Sequence, residues 1–301
     1  MLARGLEDRK RSDRARASNR RHKKPWSTIT NVRFSNRTVL VTGAARGQGK
    51  SHSLAFAIEG ADLILVDVAK QIPGVPHPLG TAKQLEEVVA ASRKLGRKAI
   101  GVNADLSQSA EVKSTIAKAI KEFGKIDIAV IQHAIVTIPR LTHEITEEEW
   151  DLTHENDLKS YFLLAKEILP HMMQRKYGRI IMTSSDAGYR GIWGIASYTA
   201  AKHGVIGLVR NMSQEYAPWN ITVNAVCPAA VNTPMTDWMM KIYPNWYTEK
   251  IFPSSGRTSL FPGVDFTEPI DVTNAVLWLA DDNSRFVTGI ALPVDCGISA
   301  R

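Results

Sequence analysis

The sequence predicts one doubly wound α/β domain, a parallel sheet with helices on both faces. Three observations carry the expectation. Short β-branched and apolar runs, among them TVLVT at 38–42, ADLILV at 61–66, DIAVI at 127–131 and GRIIMTS at 178–184, alternate with longer segments of helical pattern. The first run feeds directly into a glycine-rich turn, GAARGQG at 43–49, that opens a helix. The chain has 301 residues and 44% hydrophobic content, which suits one large domain burying about three quarters of its unfolded surface.

Composition narrows the function classes. No uninterrupted apolar stretch reaches the length of a bilayer span, so no membrane role is expected. The two cysteines, Cys227 and Cys296, cannot build a disulfide framework. They read as small apolar residues in a reducing, cytoplasmic setting. The net charge of +8 belongs to one end: residues 1–24 hold ten Lys/Arg and three Asp/Glu, and the other 277 residues are nearly neutral. Residues 1–34 are expected to form a disordered basic tail. A nucleic-acid arm, a surface-binding arm and a targeting peptide are competing readings; a solvated tail or an upstream start site is favoured. Nucleic acid is therefore not the expected partner.

The globular domain is expected over 35–301. Thr38–Thr42 reads as a buried strand. In the turn after it, Gly43, Gly47 and Gly49 permit positive φ and close approach of backbone N–H groups to a pyrophosphate. The next helix, about 50–59, points its N-terminus at that anion. Ala61–Val66 is the second strand and ends at Asp67, placed to bind a ribose 2′-hydroxyl and to repel a 2′-phosphate. NAD is thus favoured over NADP, with Arg46 as a mild counter-argument. A Pro- and Gly-rich loop, 69–81, is long for its position. Helix 82–95, strand 98–103 and helix 109–123 follow, then strand 127–131. Thr146 and Glu149 fit a capping box for a helix running to about residue 173.

The run GRIIMTS closes just before Ser185; Tyr198 and Lys202 lie beyond it, four residues apart. On a helix the tyrosine and lysine share one face. A nearby ammonium lowers the phenol pKa and lets it exchange a proton with an alcohol or carbonyl near neutral pH. Ser185 could hydrogen-bond the same oxygen. Taken alone, Y-x-x-x-K more often marks a solvated pair or a core tyrosine with a snorkelling lysine. No residue set suggests a metal site.

Ser185, Tyr198 and Lys202 at this spacing, together with TGAARGQG between strand and helix, resemble the short-chain dehydrogenase/reductase family. The resemblance covers about 34–299. The 69–81 loop, TAKQLEEVVAASRKLGRKAIGVNADL after it, and VTGIALPVDCG near the end are similar to the carveol-dehydrogenase-like, mycofactocin-associated subgroup. It implies a Rossmann-type fold and an NAD-dependent dehydrogenase of secondary alcohols with an apolar, terpene-like substrate. It also implies a homotetramer built on helices 148–173 and 198–216, and tightly held NAD(H) reoxidised by mycofactocin as an external redox partner. Cofactor contacts are implied for Gly43, Ala45, Arg46, Gly47, Gln48, Gly49, Asp67, Asp105, Leu106, Tyr198, Lys202, Pro228, Val231 and Thr233.

Several positions depart from the family. Gln132, His133 and Ala134 stand where it has Asn-Ala-Gly, with Gln132 and His133 still expected against the cofactor. Ala229 replaces a glycine. Asp157 falls at the position of the asparagine that holds a relay water beside the lysine, unless a one-residue bulge restores Asn156. A carboxylate there would stabilise the ammonium and oppose phenolate formation. These departures motivate a second reading, a catalytically impaired NAD-binding scaffold or sensor. Residues 234–266 hold Met235, Trp238, Met239, Met240, Tyr243, Trp246, Tyr247, Phe252 and Phe261 among their large apolar side chains, broken by Pro and Gly, and are expected to form the substrate lid.

Overall fold

A computed structural model describes residues 32–244 and 259–300. Residues 1–31 of the predicted tail and part of the predicted lid, including Trp246, Tyr247 and Phe252, lie outside the described residues; Phe34, placed at the end of the tail by the sequence reading, is instead buried in the core with its ring 4.8 Å from that of Phe56.

Among the described residues, seven parallel strands form one sheet. In chain order they are β1 (Thr38–Thr42), β2 (Asp62–Asp67), β3 (Ala99–Asn103), β4 (Ile128–Ile131), β5 (Gly178–Thr183), β6 (Ile221–Pro228) and β7 (Ala291–Val294), and the spatial order is β3-β2-β1-β4-β5-β6-β7. The helices are α1 (Gly47–Ile58), α2 (Ala82–Lys94), α3 (Ser109–Phe123), α4 (Glu147–His154), α5 (Ser160–Arg175), α6 (Ala196–Tyr216), α7 (Pro234–Ile242) and α8 (Pro269–Ala280).

The strands are largely apolar because both faces are covered, although β5 buries Arg179 and β6 buries Asn224. Leu40, Ile64, Ala129 and Ile180 face the core formed with α3, α5 and α6. Their neighbours Val39, Leu63, Ile128 and Ile181 face the core formed with α1, α2 and α8. The two-residue period thus assigns each strand residue to one of two buried layers.

Boundaries differ from the sequence reading in two informative places. Helix α1 begins at Gly47, three residues before the predicted start, so two of the loop glycines belong to its first turn. The predicted helix 148–173 is continuous but carries a π-turn over Glu155–Lys159 between α4 and α5. Thr146 caps α4 by accepting from the Glu149 N–H, as the capping-box pattern requires.

Strand order reverses beside β1, whose partners are β2 and β4. Connections leave β1 and β4 toward opposite faces, and a crevice opens beyond their carboxyl ends. The residues just past these strands, Gly43 and Gln132, stand at its mouth.

Candidate active site

The glycine turn is shaped for backbone approach. Gly43 and Gly47 have φ of +62° and +54°. A Cβ on Gly43 would lie 3.0 Å from the His133 Cα, and one on Gly49 would lie 2.1 Å from the Gly43 oxygen. Neither close approach leaves room for a side chain. Arg46, Gly47, Gln48 and Gly49 line the crevice. The buried Gln48 Oε1 has no hydrogen-bond partner and is a polar atom suited to a ligand donor. Ala45 is set back beneath the turn: it is buried, and its N–H donates to Asp67 Oδ2 at 3.0 Å.

Asp67 closes β2 and receives a second bond from the Ala69 N–H at 3.1 Å. The loop at 69–81 folds back over this carboxylate, so closely that a Cβ on Gly80 would lie 2.8 Å from Asp67 Oδ1. Arg46 donates to the Pro78 carbonyl of that loop. Its guanidinium is thereby engaged by the loop, and burial pushes its pKa down. Asp105 and Leu106 line the crevice farther along, Asp105 accepting from the Ser107 N–H and hydroxyl at 3.1 and 2.6 Å. Pro228, Val231 and Thr233 line the opposite wall, and Thr233 caps α7. These residues fit a dinucleotide: glycines and a helix N-terminus for its phosphates, and a carboxylate for its ribose.

In the replaced triplet after β4, Gln132 and His133 are held by hydrogen bonds. Gln132 Oε1 accepts from the Thr183 hydroxyl at 2.5 Å and lies 3.0 Å from His52 Nε2, which ties β4 to β5 and α1. Its N–H donates to Thr42 Oγ1 at 2.9 Å. His133 spans Thr42 Oγ1 at 2.7 Å and Ser160 Oγ at 2.8 Å. Burial, then the charge on Lys202, pushes the His133 imidazole down to about 3, so it is neutral. His133 is thus a hydrogen-bonded crosslink at the edge of the crevice.

Ser185, Tyr198 and Lys202 all line the crevice. Ser185 follows β5, and Tyr198 and Lys202 lie on one face of α6. Lys202 is fully buried, with Nζ 5.3 Å from the Tyr198 ring centroid. It donates to the Thr183 carbonyl at 3.2 Å and to Tyr161 Oη at 3.4 Å. Tyr161, whose pKa burial raises, donates in turn to the His133 carbonyl at 2.8 Å. Burial pushes the Lys202 pKa down, and Asp157 opposes it.

At the π-turn it is Asp157 that reaches the lysine. Its Oδ2 stands 3.5 Å from Nζ, at the long end of an ion pair, and Oδ1 accepts from the Ile135 N–H at 2.9 Å. Burial raises this carboxyl to about 6, against the pull of Lys202. Asn156 lines the crevice but bonds its own helix, donating to the Leu152 carbonyl at 2.9 Å, while its carbonyl accepts from Ser160. The bulge therefore does not place the Asn156 side chain at the lysine.

Sequence reasoning missed four participants. His77, from the 69–81 loop, is buried and lies 3.3 Å from the Val136 N–H, with its ring 5.5 Å from Trp238 of α7. Burial pushes its pKa down to about 4. Tyr161 adds a hydroxyl to the lysine's surroundings. Asp186 and Arg190 form an ion pair at 2.6 Å beside Ser185; an acid directly after the serine, with an arginine four residues on, is a signal the sequence did carry. Above Tyr198, Val136, Ile195 and Met239 form an apolar cluster with Ile192 and Met235 packed against it. Of the predicted lid aromatics, Trp238 and Tyr243 join this cluster, and Phe261 is exposed instead. Cys227 is buried as expected; Cys296 is only half-buried.

Fold and site together define a dinucleotide-dependent oxidoreductase. A family model described as enoyl-(acyl carrier protein) reductase, of the short-chain alcohol dehydrogenase group, matches residues 43–299. The chain is 37% identical to (−)-trans-carveol dehydrogenase of Rhodococcus erythropolis over 90% of its own length and 100% of the relative's. The crystal structure of carveol dehydrogenase from Mycobacterium avium with NAD superposes with a TM-score of 0.83 at 33% identity, covering 89% of this chain and 99% of that one. An NAD-bound short-chain dehydrogenase from Mycobacterium paratuberculosis gives 0.80 at 30%, covering 89% and 100%. The chain belongs to the short-chain dehydrogenase/reductase family. It is an NAD-dependent oxidoreductase of the alcohol–ketone class.

Proposed function

We propose that this enzyme oxidises an apolar, terpene-like secondary alcohol, of which carveol is the model, with Tyr198 as the proton acceptor. The observation that carries the reading is the meeting of Tyr198, Lys202 and Ser185 under the apolar cluster of Val136, Ile195 and Met239. Tyr198 takes the alcohol proton. Lys202, held by the Thr183 carbonyl and Asp157, keeps a positive charge against the phenol ring. Ser185 fixes the substrate oxygen. Gly43 to Gly49 would hold the phosphates of NAD and Asp67 its adenosine ribose, with Leu106 and Val231 along its path; the cofactor would supply the acceptor for the hydride of the carbinol carbon. The apolar wall excludes water from the reacting centre and selects hydrocarbon over charge.

The scaffold reading loses its main support. The altered triplet makes a complete hydrogen-bond network through Gln132 and His133, so its departure from the family gives no reason to expect a damaged site.

The finer expectations extend the same proposal. The 69–81 loop, pinned by Arg46 to Pro78 and by His77 to Val136, covers the adenosine end and retains the cofactor. A retained cofactor calls for an external acceptor such as mycofactocin. A homotetramer built through α5 and α6 would cover the half-exposed Phe162, and a cytoplasmic location suits both. The test is mass spectrometry of the purified protein for bound NAD, followed by carveol oxidation with an artificial dye as acceptor. Co-purified NAD with dye-linked turnover supports the reading. Turnover only with freely added NAD removes the retained-cofactor part, and no turnover of any cyclic terpene alcohol overturns the substrate class.

A further inference from the structure

Resting on the reading that the 69–81 loop retains the cofactor, we propose that His77 is a positioning residue that fastens this loop to the substrate wall, so that Trp238, on the substrate side, helps set how long NAD stays bound.

The loop is braced from within. Gln71 Nε2 donates to the Val75 and His77 carbonyls at 2.8 and 3.0 Å, and its Oε1 accepts from the Leu79 N–H at 3.2 Å. One glutamine thus ties residues 71–79 into a single unit. At the root of that unit a Cβ on Gly80 would lie 2.8 Å from Asp67 Oδ1, the carboxylate read as the ribose ligand. Little slack separates the braced loop from the adenosine end. His77 is the side chain this unit sends inward; it is buried and lines the crevice.

The contacts of the His77 ring lead to the substrate side. A backbone N–H can only donate, so Nε2 accepts from Val136 at 3.3 Å, and the ring hydrogen is left on Nδ1, 3.2 Å from the Pro78 carbonyl. The imidazole is neutral and held in one tautomer. The same Pro78 carbonyl accepts from Arg46 of the glycine turn. The His77 ring lies 5.5 Å from the Trp238 ring at an angle of 51°, within the range of a favourable aromatic contact. Val136 belongs to the apolar cluster above Tyr198, and Trp238 packs against that cluster. His77 is therefore the link through which a displacement of the substrate wall reaches a loop too stiff to absorb it.

The readout is exchange of bound NAD for isotope-labelled NAD, followed by mass spectrometry of the NAD-loaded enzyme with no substrate present. His77→Ala should speed exchange about three- to tenfold, the worth of one net hydrogen bond. His77→Phe fills the same space without an acceptor for Val136 and should speed exchange as well; it carries the test if the smaller side chain impairs folding. Trp238→Ala removes the ring contact from the substrate side and should speed exchange about threefold or more. In the His77→Ala background the Trp238→Ala step should add little, because the link is already cut. General loosening of the site would make the two effects multiply.

Exchange left unchanged by both His77 variants, in an enzyme that retains NAD, overturns this inference and leaves retention to the other contacts of the loop. Trp238→Ala without effect overturns it too, as does an effect that persists in full beside His77→Ala, which would place the route through α7 itself. A wild type that carries no NAD through purification overturns the retained-cofactor reading, and the inference with it.

Discussion

Replacing Asp157 by asparagine should move the acid limb of the pH profile downward by about one unit. The carboxylate lies 3.5 Å from Lys202 Nζ, and Nζ lies 5.3 Å from the Tyr198 ring centroid. These two separations place the carboxylate within about 9 Å of that ring. At an effective dielectric of about 20, unit charges ~9 Å apart interact by about 1.8 kcal/mol. One pKa unit is about 1.4 kcal/mol, so a negative charge at that distance raises the phenol by about 1.3 units. The sign follows directly. Oxidation needs Tyr198 to give up its proton, an anion nearby disfavours phenolate, and its removal lowers the tyrosine pKa. Asparagine retains an oxygen for the Ile135 N–H, so the β4 crest keeps its bond. His133 is neutral and Tyr161 protonated, which leaves Lys202 and His154 as the other charges or titrating groups acting on this carboxyl. Because Asp157 itself titrates near 6, the difference between the enzymes should appear above pH 6 and fade below it. The assay is kcat/KM for carveol from pH 5.5 to 10, with bound NAD quantified at each point. An acid limb that stays in place, or moves upward, at unchanged NAD content refutes the reasoning.

Three further outcomes follow from the site. Tyr198→Phe should lower kcat by roughly 10²–10⁴-fold while NAD content stays near that of the wild type; near-normal turnover would remove Tyr198 from the chemistry. Asp67→Asn removes a like charge from the place of a 2′-phosphate and should raise the NADP-to-NAD ratio of kcat/KM roughly tenfold or more, measured by steady-state kinetics after cofactor removal. Acid unfolding should start early: burial lowers His52 and His77 to about 4 and His133 to about 3, below an ordinary value of 6.5. Groups that stay neutral when folded contribute full stability above pH 6.5 and lose it as pH falls toward 4, together by up to about 4 kcal/mol per pH unit. Urea titrations between pH 7 and 5 would show the slope, and His133→Asn should flatten it.

The sheet and its helices were legible because each strand is short, β-branched and apolar on both faces, and each helix follows at the spacing a crossover needs. The candidate catalytic residues were legible because their spacing is local: Tyr198 and Lys202 share one helical face, and Ser185 follows closely on the strand before them. What stayed hidden depends on partners far apart in the chain. Nothing in the local pattern around His77 announces that it reaches Val136, or that His52 sits under Gln132. The Asp186–Arg190 pair was local but stood within a stretch read only for its serine.

The triplet 132–134 shows most clearly why single positions mislead. Taken alone, each departure from the family predicts damage: a longer amide, a bulky imidazole and an added methyl at a crest where space is tight. In the folded chain the first two departures are taken up by partners on neighbouring elements. The extra methylene of Gln132 carries its oxygen to Thr183 and within 3.0 Å of His52, so one acceptor joins two neighbouring elements. The His133 ring, too large for the position if it faced the cofactor, lies between Thr42 and Ser160 and gains a partner on each nitrogen. A buried polar group costs a few kcal/mol when unpaired and little when paired. The tolerance of this crest therefore depends on hydroxyls and an imidazole contributed by β1, α1, α5 and β5 together. Restoring the family's asparagine at 132 alone would shorten the amide and strand His52 and Thr183 without their acceptor. It should destabilise the protein by about 1–3 kcal/mol, although by family resemblance it looks like a repair.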